Sequence, residues 1–129
     1  MSKSPATSLV LPARSPEAAA AAIRAFQHGL LVVLPTETVY GLACNAASPP
    51  AVERLAALSK GSKPSAWHAP SVDAVRAAIN FTSPIHQRLV AKLLPGPVTL
   101  IVESQEPDLA ALRQRLNVPP GALDDVRIL

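Results

Sequence analysis

The chain has 129 residues, a length that argues for one domain at most. Hydrophobic residues make up 49% and charged residues 16%, which excludes a disordered acidic or basic tail. Twelve lysines and arginines stand against nine aspartates and glutamates, and the net charge of +3 admits an anionic ligand without demanding one.

Phe26, Tyr40, Trp67 and Phe81 are the four aromatics, so the expected core is built from Ala, Leu and Val. No apolar run approaches the roughly 18 to 20 residues of a transmembrane helix. The N-terminus carries no apolar stretch of the kind found in secretory signals, and a cytoplasmic setting is expected. A single cysteine, Cys44, excludes a disulfide framework and a cysteine-based metal cluster.

Residues 1–7 read as a disordered N-terminus, followed by a domain over 8–129. Ser8 to Leu11 is a short strand candidate closed by Pro12. Ser15-Pro16-Glu17 has the cap, first-turn proline and acidic residue of a helix start. The alanine run that follows continues the helix, and Gly29 ends it. Leu30 to Leu34 reads as a fully buried strand, making a β-α-β opening that favours an α/β or α+β protein. Ser48-Pro49-Pro50 opens a second helix through Ser59, with Val52, Leu55 and Leu58 on one face. Lys60 to Pro64 is a basic loop and Ser65 to Ala69 a strand candidate. Helices are expected over Ser71 to Ile79, from Thr82-Ser83-Pro84 to Leu94, and over Leu109 to Leu116. Pro95-Gly96-Pro97 is a hard turn. Val98 to Val102 reads as a second buried strand, and Val126 to Leu129 as a last one.

The common nucleotide fingerprints, G-x-G-x-x-G and G-x-x-x-x-G-K-[ST], are absent. The most unusual stretch is Pro35-Thr36-Glu37-Thr38-Val39-Tyr40-Gly41-Leu42, where a strand runs into hydroxyls, a carboxylate and a phenol. Thr36 and Thr38 have the donors and acceptors to hold a small polar ligand; a polar turn accounts for them equally well. Lys60 and Lys63 flank a glycine after a helix, where cations neutralise a polyphosphate or stabilise the helix end. His68 lies beside Trp67, in a structural or a ligand-facing role. His28 and His86 have no second ligand at metal spacing, so no metal site is expected. Ser83 serves better as a helix cap than as a nucleophile for His86, and Cys44 better as a small buried hydrophobe. Arg113 and Arg115, two apart, face different sides of their helix.

The octapeptide, then Lys60-Gly61, then His68, then Leu94-Pro95-Gly96-Pro97-Val98-Thr99-Leu100, resembles the YrdC-like family over about residues 8–129. That family contains L-threonylcarbamoyladenylate synthases, which join L-threonine, bicarbonate and ATP into threonylcarbamoyl-AMP and release pyrophosphate. The product serves N6-threonylcarbamoylation of adenosine 37 in tRNA. The resemblance implies a twisted mixed sheet flanked by helices, with a basic concave cavity. It implies Thr36, Thr38, His68 and Arg127 as contacts to L-threonine, and Lys60, Ser62 and Lys63 as contacts to ATP, with Lys60 catalytic and Mg²⁺ accompanying the nucleotide. Other proteins of the same tRNA-modification pathway are implied partners.

Three departures stand beside the resemblance. Ser62 replaces an arginine of the family's loop, which is about three residues shorter here. Ile128 and Leu129 follow Val126-Arg127 where the family has proline. The family's later Ser-x-Asn motif is absent. The chain therefore reads as roughly the first two-thirds of a synthase domain, C-terminally incomplete. Its alternatives are a non-catalytic module binding double-stranded RNA or tRNA, an inactive fragment, or a carbamoyl-transfer domain of hydrogenase maturation.

Overall fold

The computed structural model describes residues 8–59, 65–102, 106–117 and 126–128, with backbone alone for 106–108 and 126–128. In chain order the elements are α1 (Pro16–Gln27), β1 (Val32–Pro35), β2 (Tyr40–Ala43), α2 (Pro49–Ser59), α3 (Val72–Ala78), α4 (Pro84–Leu93), β3 (Leu100–Val102), α5 (Glu106–Leu116) and β4 (Val126–Ile128). The expected mixture of helices and sheet is present. Both described strand pairs are antiparallel: β1 with β2, and β3 with β4.

The helix ends follow from local chemistry. Pro16 and Pro84 occupy first turns, where a missing N–H costs nothing. Ser71 caps α3 by accepting a hydrogen bond from the Ala74 N–H at 3.1 Å. Ser15 and Ser83 stand at cap positions without making that side-chain bond. Gly29 ends α1 at φ +65°; its N–H donates to Phe26 O at 3.0 Å, and Leu30 N–H reaches back to Ala25 O at 2.9 Å. Those two bonds form a Schellman closure, and glycine takes the left-handed position without a Cβ penalty. Asn117 closes α5 at φ 53°, a conformation asparagine tolerates better than most residues.

The core sits in the second half of the chain. Val75, Ala78, Phe81, Val90, Leu94 and Leu112 form one buried cluster, with Trp67, Ile79, Leu100, Val102 and Leu109 packed around it. These residues bring together α3, α4, α5 and β3. Arg115 of α5 locks the arrangement by donating to Ala78 O at 2.9 Å and Ala77 O at 3.4 Å, which satisfies carbonyls at the end of α3. The first half is thinner. Among described residues before 60, only Gly29 and Ala51 are buried. Arg54 ties α2 to the α1–β1 corner by donating to Gly29 O at 2.8 Å.

Several expectations give way here. Ser8 to Leu11 forms no strand and leaves Leu9 and Val10 exposed, so the opening is a helix followed by a hairpin and not a β-α-β unit. The strand placed at Leu30 to Leu34 begins at Val32 and is not buried on both faces; Val33 is 62% exposed. The strand placed at Val98 to Val102 shortens to Leu100–Val102, with Ile101 67% exposed. Each of these strands packs only one of its two faces against the rest of the described chain, which is why burial alternates along both. Ser65 to Ala69 contains a single bridge residue, Trp67, and no strand. Leu58 departs from the apolar face of α2 and is exposed.

Candidate functional site

The octapeptide is a β-hairpin with its polar residues at the tip. Register pairs Val32 with Ala43, Val33 with Leu42, Leu34 with Gly41 and Pro35 with Tyr40. At the tip, Thr36 N–H donates to Val39 O at 2.9 Å and closes a two-residue loop of Glu37 and Thr38. Alternation along an antiparallel ladder then makes Pro35–Tyr40 a non-hydrogen-bonded pair, so the proline lacks a donor where none is used. Val33, Pro35, Tyr40 and Leu42 share the exposed face; Val32, Leu34, Gly41 and Ala43 share the half-buried one.

The two threonines differ in what their hydroxyls do. Thr36 Oγ1 donates to Val39 O at 2.6 Å and accepts from Val39 N–H at 3.2 Å and Thr38 N–H at 3.4 Å. Thr38 is exposed and, among the described residues, its hydroxyl has no partner. Tyr40 stands next to the tip with its side chain 77% exposed. Sequence reasoning named this phenol but did not place it on the exposed face, which the period-2 alternation from the loop could have shown.

The other candidates lie elsewhere. His68 is exposed, on the segment that leads from Trp67 into α3. Arg127 is in β4, opposite Ile101, on the other sheet from the threonines. Lys60, Ser62 and Lys63 lie outside the described residues. His28 is spent on its own helix: its Nδ1–H donates to Arg24 O at 2.7 Å. His86 is exposed in the first turn of α4. Cys44, just past β2, is half-buried, and desolvation raises its thiol pKa above the ordinary value, which disfavours the thiolate. No cluster of three metal-ligating side chains occurs among the described residues, and no helix among them is long and apolar enough to cross a membrane. A cavity of about 360 Å³ opens between α3 and α4, lined by Arg76, Ile79, Asn80, Phe81 and Gln87; it contains none of the candidate residues.

The Sua5, YciO and YrdC family model, described as "Telomere recombination", matches residues 24–117. The threonylcarbamoyl-AMP synthase of Mus musculus is 40% identical over 93 residues, covering 70% of this chain and 32% of the mouse protein. The Homo sapiens protein of the same name is 41% identical over 93 residues, with the same shares. Among solved structures, a doubly substituted variant of P. abyssi Sua5 superposes with a TM-score of 0.63 at 29% identity, over 84% of this chain and 32% of that one. The chain thus spans about a third of the length of the curated relatives it matches. The family match takes in the hairpin, His68 and the Pro-Gly-Pro turn and stops short of Arg127, and by it the chain belongs to the Sua5, YciO and YrdC family.

Proposed function

We propose that the chain acts in threonylcarbamoyl-AMP synthesis, with the hairpin tip as part of the L-threonine site. The observation that carries this reading is the tip itself. A family-matched turn is pinned by its own backbone and one threonine, and the second threonine's hydroxyl has no partner among the described residues. The identity to proteins named threonylcarbamoyl-AMP synthase supports the choice of reaction.

In this reading the amine of L-threonine takes up bicarbonate to give a carbamate, with loss of water. A carbamate oxygen then attacks the α-phosphorus of ATP, and pyrophosphate leaves. Thr38 and His68 contact the amino acid, and the Arg127 guanidinium pairs with its carboxylate. Lys60 and Lys63, with the Mg²⁺ that arrives on ATP, offset the charge that grows on the leaving pyrophosphate; Ser62 hydrogen-bonds the phosphates. Lysine is a point charge and does not reproduce an arginine's bidentate fork, so Ser62 in place of the family's arginine lowers the stabilisation available at phosphorus.

The test is pyrophosphate release by the chain with ATP, L-threonine and bicarbonate, each omitted in turn. Release that requires all three supports the reading. No release, together with no binding of L-threonine by calorimetry, rejects it. A Lys60→Ala, Lys63→Ala double variant that binds ATP as wild type does would reject the loop as the phosphate contact, since a charge-assisted hydrogen bond is worth about 1.5–3 kcal/mol.

A further inference from the structure

We infer that Thr36 is a positioning residue, whose hydroxyl holds the 36–39 turn in the shape that presents Thr38, and that it makes no contact with the amino acid itself. This rests on the proposed assignment of Thr38 to the threonine site.

A threonine hydroxyl has one proton to give and two lone pairs to receive. Thr36 gives its proton to Val39 O at 2.6 Å and receives from Val39 N–H at 3.2 Å and Thr38 N–H at 3.4 Å. All three are engaged inside the turn, the last by a long contact, so a ligand at this hydroxyl would compete with bonds that shape the loop. Val39 O also accepts from Thr36 N–H at 2.9 Å, so backbone and side chain of one residue grip the same carbonyl. The Thr36 methyl has a separate place. A Cβ built on Gly41 would stand 3.8 Å from Thr36 Cγ2, so the methyl covers the glycine that follows Tyr40. Thr38, by contrast, sits in the loop with its N–H held by Thr36 and, among the described residues, its hydroxyl without a partner. The two threonines therefore divide the work: one shapes the tip, the other meets the ligand.

The division is testable with Thr36→Val, which keeps the shape and removes the hydroxyl, and Thr36→Ser, which keeps the hydroxyl and removes the methyl. Thr38→Val is the comparison. Two quantities are read on each folded variant: amide hydrogen exchange of Val39 by NMR, and the dissociation constant for L-threonine. Thr36→Val should speed Val39 exchange and weaken threonine binding, each by about tenfold, the scale of one net hydrogen bond. Thr36→Ser should restore both to within about threefold. Thr38→Val should weaken binding and leave Val39 exchange unchanged. Unchanged Val39 exchange in Thr36→Val overturns the inference. So does a Thr36→Ser variant that regains exchange protection but not binding. A wild type that binds no L-threonine defeats the functional reading instead, and Val39 exchange still decides whether Thr36 holds the turn.

Discussion

Replacing Gly29 by alanine probes the corner that delivers the chain from α1 into the hairpin. Gly29 sits at φ +65° and is buried, with its carbonyl accepting from Arg54 and its N–H engaged by Phe26 O. An L-residue with a Cβ pays about 1–2 kcal/mol in this region. Alanine recovers part of that, about 0.4–1 kcal/mol, by restricting the unfolded chain. The new Cβ would also meet Ser48 Oγ at 3.2 Å, a tight contact that a serine hydroxyl relieves by rotating. The net expectation is a loss of about 0.5–1.5 kcal/mol, or a Tm lowered by about 2–6 °C for a domain of this size. Urea denaturation followed by circular dichroism measures it directly. Repeating Gly29→Ala in a Ser48→Ala background separates the two terms: the backbone cost remains, while the contact disappears and returns a few tenths of a kcal/mol. A Gly29→Ala variant as stable as wild type would refute the reasoning, because the left-handed corner would then not need glycine.

Two further outcomes follow from the same kind of reading. A Cβ on Gly96 would stand 2.6 Å from the backbone oxygen of Leu93, with no flexible side chain to yield. Gly96→Ala should therefore shift the turn before β3 and destabilise the chain by more than Gly29→Ala does, about 2 kcal/mol or more, as read by the same denaturation. For Cys44, burial raises the folded-state pKa above that of the unfolded thiol. Its contribution to stability is thus full below the unfolded pKa and is lost as pH rises through the folded one. Iodoacetamide titrated against pH should alkylate Cys44 with a midpoint above that of a free thiol peptide, and a midpoint equal to the peptide's would contradict the desolvation argument.

The helices were legible because their end signals are local. Ser15-Pro16, Ser83-Pro84 and Gly29 mark boundaries that the structure keeps to within a residue or two. The last helix starts at Glu106, three residues before Leu109, although Glu106-Pro107-Asp108 already carried the acidic residues and proline of a first turn. The strands were read as too buried. An apolar run such as Leu30 to Leu34 does not reveal whether both faces of its sheet will be covered, and here one face stays open, with Val33 exposed. The Arg115 cap on α3 was beyond reach for another reason. It joins residues 37 and 38 positions apart, and nothing local to either segment announces the pairing. At the site, the octapeptide stood out by composition, but residue type could not separate Thr36 from Thr38. Both hydroxyls have the same capacity, and only the turn decides which one is consumed.

The candidate tip lies on a hairpin none of whose residues belongs to the main buried cluster, which is why short-range bonds matter so much there. Val75, Val90 and their neighbours stabilise α3, α4, α5 and β3, while Val33, Val39, Tyr40 and Leu42 remain open to solvent. A two-stranded hairpin alone is marginal in water. Three local devices support this one: the Schellman corner at Gly29, the Arg54 bond to its carbonyl, and the Thr36 grip on Val39. The first two set where β1 begins; the third sets the shape of the loop between the strands. A rigid tip is what ligand positioning needs, since a displacement of about 1 Å can cost roughly 100-fold in rate. A threonine at position 36 answers that need where packing does not, because its hydroxyl closes the loop from within while its methyl covers Gly41. Serine would keep the first function and valine the second, and only threonine combines them in one side chain.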